Sequence, residues 1–166
     1  MMKIKEYDRQ KAIDYAHLWA YRRNPAYYNF DAIGGDCTSF ISQCVYAGSS
    51  VMNHTKDTGW YYNHVNDRAP GWSGVPYLYQ FLTTNKGLGP FGTQTSMEQI
   101  EEGDIIQLSF DGTNFVHSLF VVEIDGINDL NHIKIATHTY DSDNRIAATY
   151  TFQNIRFIHI EGVRAQ

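Results

Sequence analysis

The chain reads as an α+β fold, with helices of its first half packed on one face of a C-terminal antiparallel sheet. Two observations predict it. Apolar residues recur at helical spacing as far as Leu82, and beyond Gly87-Leu88-Gly89-Pro90 they fall into strand-like runs separated by turn residues. The 166 residues contain no internal repeat, low-complexity tract or linker, so one domain spanning 1–166 is expected.

The first helix is expected over residues 8–23, where Ala12, Tyr15, Ala16, Trp19 and Ala20 form one stripe and Asn24-Pro25 ends it. Residues 27–35 connect it to a second helix over residues 37–47. There Ser39, Phe40, Ile41, Val45 and Ala47 keep the helical period and Gly48 is positioned to stop it. Residues 49–71 show no clean period and read as a long ordered loop. Ser73 is placed to cap a third helix carrying Val75, Leu78, Phe81 and Leu82, with Pro76 in its first turn. Strands are then expected over 104–110, 115–124 and 132–138, with a further pair inside 145–160. The turn Asp111-Gly112-Thr113-Asn114 joins the first two.

Chemistry concentrates at Gly34-Gly35-Asp36-Cys37-Thr38-Ser39-Phe40. A tight glycine turn opens into a helix, Asp36 is a good N-cap type, and Cys37 falls in the first turn. Free amides and the macrodipole there favour a thiolate. The base is His117, far downstream in the strand-like run Phe115-Val116-His117-Ser118-Leu119-Phe120. A helix-borne cysteine followed by a strand-borne histidine is the order found in papain-like thiol hydrolases. The expected resting form is thiolate and imidazolium.

Composition narrows the alternatives. The net charge is −5 and no basic stripe is present, so nucleic acid is not an expected partner. Cys37 and Cys44 lie seven residues apart on one helix, roughly 10 Å, which is beyond disulfide reach. Cys44 is read as a small buried hydrophobe. No cofactor is expected. The two cysteines lack a nearby ligand cluster, and residues 141–144 lack the glycine and glutamate of a calcium loop. No transmembrane run occurs and the polar N-terminus has no signal-peptide core, which leaves the compartment open between cytoplasm and secretion from a trimmed precursor.

The chain resembles the amidase domain family within the NlpC-like branch of papain-fold hydrolases. The resemblance rests on Tyr7-Asp8-Arg9, Trp19-Ala20, Arg23-Asn24-Pro25, Gly34-Gly35-Asp36-Cys37-Thr38, Ser42-Gln43-Cys44 and Gly59-Trp60-Tyr61-Tyr62. It continues through Gly103-Asp104-Ile105-Ile106 and His117-Ser118 to His138-Thr139. It implies a papain-like, NlpC-like fold and a cysteine amidase or endopeptidase acting on peptidoglycan stem peptides or related short peptides. It also implies a third polar residue on the strand after His117, which His138 matches; Asp141 is the reserve for that role. By the same resemblance Asp36 and Thr38 touch the substrate's amine end. Where the branch often has Asp-Cys-Ser-Gly, this chain has Asp36-Cys37-Thr38-Ser39, so a hydroxyl is kept and the glycine is not.

Several residues carry two readings. Asp36 can cap the helix and also hold a substrate amine. Tyr28 is chosen over Tyr27 to set a hydroxyl beside the oxyanion, with the Cys37 N–H as the principal donor. Trp60, Tyr61 and Trp72 are either a substrate-side wall or core. His17, His54, His64, His132 and His159 are read as surface or packing residues. Three rivals accompany the hydrolase. One is an acyl- or transpeptidase using the same thioester, one a non-catalytic module binding wall peptide or glycan, and one a metal hydrolase built on His117, His138 and Asp141.

Overall fold

The computed structural model describes residues 1–166. Helix α1 (Arg9–Trp19) begins at Asp8, whose carboxylate accepts the Lys11 N–H at 3.0 Å. It ends at Trp19, short of the expected residue 23, and further on Pro25 disfavours helical backbone at Asn24. The Asn24 side chain instead accepts the Ala26 N–H at 2.9 Å.

Helix α2 (Cys37–Ser49) runs through Gly48 and closes one residue later, on Ser50 in the left-handed region (φ 59°) with its N–H on Tyr46 O. Gly48 is therefore a contact rather than a stop. A Cβ there would meet Asp8 O at 2.6 Å and the Tyr7 ring at 2.7 Å, and the Asp8 N–H bonds Gly48 O at 2.9 Å.

The expected loop at 49–71 contains structure of its own. Strands β2 (Tyr62–His64) and β3 (Asp67–Arg68) pair there, and Asn53 bridges Trp60. One turn of helix, α3 (Pro70–Ser73), precedes α4 (Val75–Thr84). Ser73 caps nothing, because its hydroxyl accepts from Arg68 Nε at 2.8 Å.

The main sheet has seven antiparallel strands. Besides β1 (Lys3–Lys5) these are β4 (Gly89–Thr95), β5 (Ile105–Ser109), β6 (Phe115–Ile124), β7 (Ile133–Thr137), β8 (Ser142–Ile146) and β9 (Asn154–Ala165). Their order is β1-β9-β5-β6-β7-β8, with β4 also on β9. The pair expected inside 145–160 is thus β8 and one long strand, β9, joined through a short 3-10 turn at Ala147–Thr149. Strand β4 lies where the glycines and proline read as a break. Gly92 is what lets it pair, since a Cβ there would sit 2.1 Å from His159 O.

Strand alternation builds two cores. Ile105, Phe120, Val122, Ala136, Ile158 and Ile160 face α1 and α2, meeting Ala12, Ala16, Phe40, Ile41 and Val45. Ile106, Leu108, Leu119, Val121, Ile133, Ile135 and Phe157 face the other way, under Ile100, Ala147 and Tyr150. Asp104 ties sheet to helix. Fully buried at the head of β5, it binds Arg9 and His159, each at 2.8 Å, and the N–H groups of Glu101 and Ile160.

Candidate active site

Cys37 opens α2, and its own N–H lies among the first helical amides, which have no acceptor within the helix. Its Sγ sits under the start of β6. The Ser118 N–H and the Thr38 hydroxyl, 3.7 Å away, act to stabilise a thiolate. Burial outweighs them, since the side chain is 6% exposed and its pKa is raised above the ordinary thiol value, with the neighbouring Asp36 charge adding to the rise. Cys44 is fully buried in the helix-side core and free, as expected.

His117 lies next to Ser118, but on the other side of the sheet. It pairs in register with Leu108 and shares the outer face with Leu119. Its ring lines a cleft of about 450 Å³ with Phe110, Val116, Thr139, Tyr140, Arg145 and Tyr150. Burial, helped by the Arg145 charge, pushes its pKa down to about 4. The resting site therefore holds a thiol and a neutral imidazole, not the expected ion pair. No hydrogen bond joins Cys37 to His117. Both gather at the same end of β6, where pairing with β5 has slipped past Val116. Tyr150 neighbours both: its ring centroid is 5.8 Å from that of His117, and a Cys37 thiolate would raise its pKa.

The residues expected to orient His117 are engaged elsewhere. His138 Nδ1 meets Asp36 Oδ2 at 2.6 Å, its Nε2 donates to Trp19 O at 2.8 Å, and its ring stacks on Phe40 at 4.1 Å. Register explains the difference. Phe120 pairs with Ala136, so two residues on His138 stands against Ser118 and faces the helices, away from His117. Asp141 is held by Arg23 at 2.9 and 3.0 Å, and the same guanidinium reaches Asp31 at 3.1 Å.

Asp36 does not cap α2 through its side chain. Its carboxylate accepts the Phe30 N–H at 2.8 Å and pairs with His138, with Arg23 Nε 3.5 Å away. Buried to 1%, it locks the turn before Cys37 and presents no oxygen to a substrate amine. Thr38 is equally buried, with its hydroxyl 3.0 Å from Ser118 Oγ. Trp60 and Trp72 are core, fully buried with ring centroids 4.9 Å apart, and Trp60 Nε1 donates to Ser42 Oγ. Tyr28 is part-exposed and packs edge-on against Phe30, while its N–H bonds Tyr62 Oη. Of these four expected substrate contacts, Tyr28 alone keeps an exposed ring.

Sequence reasoning missed Arg145 and Tyr150, which form the cleft wall beside His117. Arg145 lies 3.7 Å over the Tyr150 ring and donates through Nε to Thr149 Oγ1 at 2.7 Å. An Arg and a Tyr five residues apart around a short turn give no signal by type alone. The left-handed pair Thr139 and Tyr140 (φ 68° and 55°) shapes the rim, and Thr139 Oγ1 abuts Gly35. No group of His, Cys, Asp and Glu side chains is arranged to hold a metal ion, and no helix is long and apolar enough to cross a membrane.

No solved structure matches the chain. An uncharacterized protein of Bacillus subtilis (strain 168), YhbB, is 33% identical over 144 residues, covering 84% of this chain and 44% of that protein. The chain thus spans less than half the length of the curated relative it matches. The family model described as "Putative amidase domain" matches residues 6–160, which takes in the Cys37 turn, β6 and His138, and the chain belongs to that family.

Proposed function

We propose that this domain is a cysteine-dependent hydrolase of amide bonds, with Cys37 as nucleophile and His117 as its proton acceptor and donor. The observation that carries the reading is the placement of Cys37. Its sulfur sits at the start of a helix, beside the Ser118 amide, one residue from a neutral histidine in an open cleft. Membership of the amidase domain family supports amide hydrolysis as the reaction class.

The chemistry follows from neutral partners. Cys37 Sγ attacks the carbonyl carbon while the thiol proton passes to His117. The carbonyl oxygen becomes an oxyanion held by the Cys37 N–H. Collapse breaks the C–N bond, His117 returns the proton to the leaving amine, and a thioester remains. Water then attacks the thioester, giving one proton to His117, and the carboxylic acid leaves as the thiol is restored. In this proposal His117 turns from the outer face to meet the sulfur, at the end of β6 where the pairing with β5 shifts register at Val116. His138 serves the nucleophile indirectly, by holding Asp36 and so the turn that aims Cys37. The papain-like, NlpC-like relationship and a peptidoglycan stem-peptide substrate belong to the same proposal and rest on resemblance.

The test is amine release from defined stem peptides by wild type, Cys37→Ala and His117→Ala. Loss of release by about a thousandfold or more in Cys37→Ala supports the proposal. Release that survives Cys37→Ala overturns it. The missing Cys37–His117 hydrogen bond favours one second reading, a binding module using the aromatic cleft. It predicts peptide binding without turnover, unchanged in Cys37→Ala.

A further inference from the structure

A chain of buried hydrogen bonds runs from the far side of β5 to the Cys37 sulfur. Arg156, with its guanidinium between the rings of Tyr79 and Phe115 at 3.7 and 4.0 Å, donates through Nε and Nη2 to Gln107 Oε1 at 2.9 and 2.6 Å. Gln107 Nε2 donates to Val75 O at 2.9 Å and to Ser118 Oγ at 3.2 Å. Ser118 Oγ lies 3.0 Å from Thr38 Oγ1, which lies 3.7 Å from Cys37 Sγ. Gln107 and Ser118 are fully buried and Thr38 nearly so.

The Arg156 end of this chain fixes the orientation of the Gln107 amide. Arginine only donates and a backbone carbonyl only accepts, so the Gln107 amide has one possible orientation, oxygen to Arg156 and nitrogen to Val75 O. Ser118 Oγ accepts from Gln107, and in the proposed direction its own O–H donates to Thr38 Oγ1 across the 3.0 Å contact. Thr38, accepting from Ser118, has its O–H left for the sulfur. We propose that Gln107 and Ser118 are positioning residues of the site, a one-way relay anchored on Arg156 that turns the Thr38 hydroxyl toward Cys37 as a donor. This explains why polar Gln107 sits fully buried in the middle of β5 and why Thr38 faces inward rather than to substrate. The other charged or titratable groups around the sulfur are Asp36 on the preceding turn, and His117, Tyr150 and Arg145 beyond β6. The relay works against the desolvation of the thiol.

The assignment rests on Cys37 as the nucleophile proposed above. Its test uses the whole chain with Cys44→Ala and reads iodoacetamide alkylation of Cys37 across pH, with no substrate. Thr38→Val, which keeps shape and loses the hydroxyl, is expected to slow labelling at neutral pH by roughly threefold to tenfold and move its midpoint to higher pH. Thr38→Ser restores the wild-type profile. Gln107→Met and, with less change in volume, Ser118→Ala move the midpoint in the same direction while far-UV circular dichroism stays native. A midpoint unmoved by Thr38→Val, or moved by it but not by Ser118→Ala or Gln107→Met, overturns the relay. Failure to hydrolyse any peptide bears on the proposed reaction and not on this profile.

Discussion

Protonating His117 in the folded protein means charging a ring that is 7% exposed and faces Arg145. Its pKa falls from an ordinary 6.5 to about 4, and that gap is a stability statement with a definite sign. Below 6.5 the unfolded chain takes up the proton and the folded chain does not. Stability therefore declines as pH falls from 6.5 toward 4, and the loss levels off below that. At about pH 4.5 the difference amounts to about 2.5 kcal/mol, from the ratio of the two protonation polynomials. Urea denaturation of wild type and His117→Gln at about pH 7.5 and about pH 4.5 isolates it, because every other acid-labile group is common to both. Wild type is expected to lose about 2.5 kcal/mol more than the variant between the two conditions. A stability difference between the two proteins that does not change with pH would refute the burial argument, and so would an imidazole that titrates near 6.5 by NMR. The same neutral ring predicts amide hydrolysis whose acid limb lies near pH 4.

Other perturbations report on how the site is held. Trp60→Ala is expected to cost about 3–5 kcal/mol in urea denaturation as a core truncation, while Trp60→Phe leaves the KM for any substrate unchanged. Asp104→Ala removes the buried acceptor of Arg9, His159 and two backbone N–H groups, so a loss of about 3–5 kcal/mol is expected by the same measurement. Asp36→Asn keeps the shape of the turn and removes a charge that raises the Cys37 pKa. Its iodoacetamide profile is expected to move to lower pH, opposite to Thr38→Val, even as it loses stability through the weakened Asp36–His138 contact.

The fold was legible where periodicity was unambiguous. Strands β5, β6 and β7 carry enough β-branched and aromatic residues in short runs to declare themselves, and α2 shows a continuous apolar stripe. Strand β4 does not, because Gly-Pro-Phe-Gly-Thr-Gln-Thr has neither β-propensity nor alternation. It is held by pairing with β9 at a close approach that only glycine permits. The same cause hid the role of Gly48. A glycine at the end of an apolar run signals a cap locally, whereas here it makes room for the Asp8–Gly48 contact between two helices.

The site was legible as residue types and illegible as partnerships. Cys37 and His117 stand out because their elements can be read from the chain, but a single residue of register decides which face of β6 meets which neighbour. That offset gives His138 to Asp36 rather than to His117. It also gives Ser118, not His117, the face toward Thr38 and the sulfur. An aspartate before a helix reads as a cap because capping is a local interaction. Asp36 is instead used by a histidine 102 positions away, and no local pattern encodes that pairing. The consequence is a division of labour that residue types alone conceal. On the helix side, Asp36, His138, Thr38 and Ser118 are all committed to fixing the turn and the sulfur. On the outer side, His117, Arg145 and Tyr150 line a separate cleft, with Arg145 held by Thr149 and stacked on Tyr150, and the proposed reaction assigns proton transfer to that face.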